Sequence, residues 1–70
     1  MDAISSPKYP AVEVQLTGTD GNAFAILGTV QKALRRHGVS PEVISEFVAE
    51  ATADDYDHLL RTVMSWVEVA

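Results

Sequence analysis

The sequence predicts an α+β domain of order β-α-α-α-β, three helices packed on one face of a small two-stranded sheet. Three observations point there. Apolar and polar residues alternate at Val12-Glu13-Val14-Gln15-Leu16 and again at Trp66-Val67-Glu68-Val69, the period of a strand with one buried face. Between them, three stretches space their apolar residues three and four apart, as a helix does. Glycine, serine and aspartate stand at the joints, where turns and helix caps need them. Two strands alone make a poor sheet. They are expected side by side, and pairing with a second copy would extend them.

The elements follow in order. Residues 1–10 hold two prolines and two serines without periodicity and read as a mobile tail; residues 11–70 read as one domain. Val12, Val14 and Leu16 are expected to face inward, with Glu13 and Gln15 outward. The stretch Leu16-Thr17-Gly18-Thr19-Asp20-Gly21-Asn22 then turns the chain, with Asp20 or Asn22 as N-cap of the first helix. Ala23, Phe24, Ile26, Leu27, Val30, Ala33 and Leu34 form a broad apolar face on that helix, and Gln31, Lys32, Arg35 and Arg36 lie outside. Arg35, Arg36 and His37 crowd its last turn, where cations suit the helix dipole. Gly28, inside the helix, costs about 1 kcal/mol against alanine, which predicts a close crossing with another element. Gly38 stops the helix, with Val39 as the apolar residue after it.

Ser40-Pro41 restarts a helix, serine as N-cap and proline in the first turn. Ile44, Phe47, Val48 and Ala51 form its apolar stripe. Thr52-Ala53-Asp54-Asp55 reads as a capping box for the third helix, Asp55 taking the place of the usual glutamate. That helix carries Tyr56, Leu59, Leu60 and Val63 on one face and aspartates 54, 55 and 57 in its first turn. Asp57 and Arg61, four apart, are placed to pair.

Composition narrows the function. Seventy residues make one small domain that buries only ~60% of its unfolded surface, so help from a second subunit is a common solution. There is no cysteine, which excludes disulfides and thiolate zinc sites. Apolar residues at 47% are enough for a core, and no apolar run is long enough to span a membrane. The first residues have neither the basic start nor the apolar stretch of a signal peptide, so the expectation is a cytoplasmic protein. A net charge of −5 argues against general nucleic-acid binding.

Three stretches compete for function. The turn carrying Gly18, Asp20, Gly21 and Asn22 precedes a helix N-terminus, a setting that suits anions. It lacks the P-loop lysine and the G-x-G-x-x-G spacing, and a corner with a cap is the simpler expectation. Residues 33–48 have the spacing of a helix-turn-helix. Glu42, Glu46 and Glu50, however, would carry three carboxylates into a phosphate-lined groove, against the main source of DNA affinity. The same three residues suit a basic protein surface, or form a solvated face. Asp54, Asp55, Asp57 and His58 offer oxygen and imidazole to a divalent cation, with Asp20 and Asn22 able to join if the helix starts face each other. Consecutive helical residues diverge around the axis, so helix-start acidity explains them more simply. No catalytic, cofactor-binding or metal-ligating set is assigned, and no enzyme activity is expected.

Thr17-Gly18-Thr19-Asp20-Gly21-Asn22-Ala23-Phe24-Ala25-Ile26-Leu27-Gly28, the run ALRRHGVS at 33–40 and DYDHLLRTVMSWV at 55–67 resemble a group of small uncharacterised proteins encoded in bacterial and phage genomes. The D-G-N-A-F and D-Y-D-x-L-L blocks carry most of that likeness, which covers most of residues 11–69. Asp54 departs from it, standing where a glycine or small residue is expected before D-Y-D. No activity and no ligand residue comes with the resemblance. It implies a small accessory protein of a phage or mobile element. Together with the open sheet edges, the expectation is a protein-interaction module, with a homodimer through a sheet edge as one form and no cofactor.

Overall fold

The computed structural model describes residues 7–16 and 21–69. The order is β1 (Tyr9–Val14), α1 (Ala23–Arg36), α2 (Pro41–Ala51), α3 (Tyr56–Trp66) and β2 (Val67–Val69), the expected β-α-α-α-β. The two strands pair in parallel. A parallel pair needs a long crossover, and the three helices supply it.

Both strands differ from their predicted spans. β1 starts at Tyr9, so residues 9 and 10 belong to the strand and not to a tail. It ends at Val14, which pairs with Val69, the last residue of β2. Trp66 closes α3 and does not open β2. Between the Tyr9–Val67 and Glu13–Glu68 pairs the register shifts. Pro10 lies in that interval, and proline, lacking an N–H, belongs at such irregularities. The shift leaves Pro10 and Ala11 both exposed. Tyr9 therefore turns back toward the core, where its ring stacks on Trp66 with centroids 6.0 Å apart.

The core is drawn from every element: Val12 and Val14, then Ile26, Leu27, Val30 and Leu34, Ile44, Phe47 and Ala51, Leu59, Val63 and Trp66, and Val67. Trp66 meets Phe47 edge-on at 5.3 Å, and the Lys8 ammonium sits 4.1 Å from the indole centroid. Such aromatic pairs contribute about 0.5–1.5 kcal/mol beyond their buried area.

The caps position the helices. Asn22, not Asp20, caps α1, its Oδ1 accepting from the Ala25 N–H at 2.9 Å. The other end of α1 is a Schellman turn. The Val39 N–H donates to the Leu34 carbonyl, and the Gly38 N–H to that of Arg35, both at 3.0 Å. Gly38 takes φ +95° there, a region open to glycine and strained for other residues. Ser40 caps α2 through a long 3.4 Å bond. The predicted capping box is out of frame. Thr52 ends α2, its hydroxyl donating to the Val48 carbonyl at 2.7 Å, and Asp55 is itself the N-cap of α3, accepting from the His58 N–H at 2.9 Å.

Candidate interaction surfaces

Each predicted site residue has a definite place or lies outside the described residues. Gly18 and Asp20 fall in the latter group. Gly21 is pinned across the fold, its carbonyl accepting from the Tyr56 hydroxyl at 2.5 Å. That bond brings the start of α1 against the start of α3, as a ligand site at the helix starts requires. A hollow of about 180 Å³ lies there, lined in part by Ala23, Asp54, Asp55 and Tyr56. Several polar side chains at the two helix starts are already engaged, Asp54 not among them. Asn22 and Asp55 serve as caps. Asp57 pairs with Arg61 at 2.8 Å, the predicted four-residue pair. His58 Nε2 donates to the Glu50 carbonyl at 2.8 Å, satisfying one of the carbonyls left free at the end of α2. His58 is thus a clamp between two helices. Among the described residues no group of three or more histidine, aspartate or glutamate side chains is placed to hold a metal ion.

Glu42, Glu46 and Glu50 are all exposed on α2. At the ~100° turn per helical residue they lie on a different flank from Pro41, Ser45 and Val48. The latter three, with Gln31, Arg35, Val39 and Ile44, line a groove of about 410 Å³ between α1 and α2. Phe24 and Tyr56, expected on buried faces, are exposed. Phe24 falls outside the arc of Ile26, Leu27, Val30 and Leu34, and Tyr56 is held outward by its bond to Gly21. Gly28 is exposed as well, and a Cβ there would meet nothing within 4 Å. The predicted close crossing is absent among the described residues.

Sequence reasoning expected open sheet edges but not the basic strip that runs along β1. Among the described residues this strand pairs with β2 alone. Two concavities of about 310 Å³ each run between it and α1. One is lined by Ala11, Val12, Glu13, Ala33, Arg36 and His37. The other shares Glu13, Ala33 and Arg36 and adds Val14, Gln15, Thr29 and Lys32. Lys32 and Arg36 are exposed, and the ion pair seen among the described residues is that of Arg61 with Asp57. Lys32, Arg35 and Arg36 are three of the five lysines and arginines in the chain. The basic cluster was legible in the sequence; its position beside an open strand was not, because that depends on which side of α1 meets β1.

No protein-family model, curated protein or solved structure matches the chain. Among the described residues no helix is long and apolar enough to cross a membrane.

Proposed function

We propose that this protein is a small interaction module that takes an extended, acidic segment of a partner protein along the free edge of β1. The observation that carries it is that, among the described residues, β1 pairs with β2 alone and has Lys32 and Arg36 beside its other edge. An open edge presents unused backbone N–H and C=O groups, and strand addition converts them into main-chain hydrogen bonds. The two cations outnumber the single carboxylate of Glu13 in that strip, which selects for negative charge in the incoming strand. The acidic face of α2 is then a solvated surface, and the same carboxylates speak against a DNA groove. The resemblance to small phage and bacterial proteins supplies the setting, an accessory factor acting on another gene product.

Selection from a displayed library of unstructured peptides tests this. Enriched peptides are expected to carry Asp or Glu at alternate positions and to shift the amide resonances of Tyr9 and of residues 11–14. Their binding should weaken with added salt and be lost in the double variant Lys32→Glu, Arg36→Glu. Peptides without acidic bias, or shifts centred on Glu42, Glu46 and Glu50, would refute the assignment.

A further inference from the structure

Three features of α1 and its neighbour lie along one flank. Phe24 is 86% exposed. Gly28, four residues on, is exposed with open space above it. Gln31 and Arg35, three and seven beyond Gly28, form one wall of the 410 Å³ groove whose other wall is Pro41, Ile44, Ser45 and Val48. At ~100° per residue, positions 24, 28, 31 and 35 share a narrow arc of the helix. No ring contact of Phe24 with another described residue accounts for its place outside the core. Gly28 has helical backbone with no positive φ, so conformational freedom does not account for a residue that weakens a helix interior.

We infer that this flank of α1 is a self-complementary surface on which a second copy of the chain docks about a two-fold axis passing near Gly28. The axis sets two α1 helices antiparallel, crossing where each lacks a Cβ. Helix separation depends on the side chains at the contact, so two facing glycines allow the closest approach. A residue four positions before the axis then lies at the level of one four positions after it on the partner helix. Each Phe24 ring thereby reaches the level of residue 32 on the other copy, between Gln31 and Arg35, at the wall of the groove. Val39, Ile44 and Val48 offer the ring an apolar seat, and the Arg35 guanidinium a cation for its face. One knob, one flat point and one socket at equal spacing make an isologous contact that closes at two copies. The β1 edge, on another flank of α1, remains open, so self-association and capture of a partner strand fail separately.

Sedimentation equilibrium over a concentration series tests the inference on the full chain. A reversible dimer is expected. Phe24→Ala should weaken its Kd by on the order of a thousandfold, because two buried rings are lost per dimer. Gly28→Gln, a better helix former than glycine, should raise helix content in the circular dichroism spectrum while abolishing the dimer. The chain has no native cysteine, so a spin label on Ser45→Cys should broaden the Phe24 ring resonances of an unlabelled copy mixed with it. A chain that stays monomeric at millimolar concentration would overturn the proposal. So would a dimer that survives both substitutions, an open-ended assembly, or an intermolecular label effect confined to β1 or β2.

Discussion

α1 and α3 are both amphipathic helices, yet their irregular residues meet different fates. On α3, three polar side chains and one large ring that the apolar pattern leaves unexplained are engaged inside the chain, while Met64 is exposed and the buried Trp66 Nε1 has no hydrogen-bond partner among the described residues. Tyr56 reaches back to the Gly21 carbonyl, His58 to that of Glu50, and Asp57 to Arg61. Trp66 is enclosed by Phe47, Tyr9 and Lys8. On α1 the caps are equally regular, but Phe24 is largely exposed and Gly28 faces open space, with nothing among the described residues that accounts for either. An oddity satisfied within the fold tells about stability. One left open tells about what lies outside it, and the two open ones on α1 share a flank.

Truncating one aromatic residue on each helix gives that contrast its largest expected difference. Trp66→Ala removes the largest buried side chain and should cost about 3–5 kcal/mol. Small domains have as little as ~5 kcal/mol in total, so the variant should show collapsed near-ultraviolet dichroism and no cooperative urea transition at room temperature. Phe24→Ala, read at a concentration where the chain is monomeric, should move the urea midpoint by no more than about 0.5 kcal/mol equivalent. Equal losses would erase the distinction between the two helices. A smaller contrast lies in the caps. Asp55→Ala gives up a 2.9 Å bond to the His58 N–H and should cost about 1 kcal/mol. Ser40→Ala gives up only a 3.4 Å one, longer than a good N–H···O bond, and should cost measurably less in the same titration.

The element order was legible because each helix pairs an apolar period with its own punctuation: Asn22 and Gly38 around α1, Ser40-Pro41 before α2, aspartates before α3. Errors arose where two rules applied to one residue. Thr52 suits a helix start, but its hydroxyl finds the Val48 carbonyl first and finishes α2. Trp66 suits a strand by alternation, yet it is buried as the last residue of a helix. Tyr9 and Pro10 looked like tail because proline discourages a strand, and the register shift that accommodates it is set by pairing with a distant segment. The candidate surfaces were less legible than the fold. Lys32 and Arg36 were visible as a basic cluster, but the strand beside them, and its parallel direction, depend on contacts across the whole chain.

Gly28 offers the smallest and most diagnostic test, since one substitution should act with opposite signs on two properties. In the isolated chain a Cβ at this position meets open space. Gly28→Ala should therefore stabilise the monomer by about 0.5–1 kcal/mol, chiefly by reducing the entropy the unfolded backbone loses. At the proposed crossing the same methyl stands between two helices and pushes them apart. Urea titration in dilute solution should show the gain, and sedimentation at high concentration should show a weaker dimer. A gain in both would mean that Gly28 is not at the contact and that the partner of Phe24 lies elsewhere. A loss in dilute solution would mean that α1 is already crossed tightly within the chain, and the contrast between its open flank and the enclosed face of α3 would fall with it.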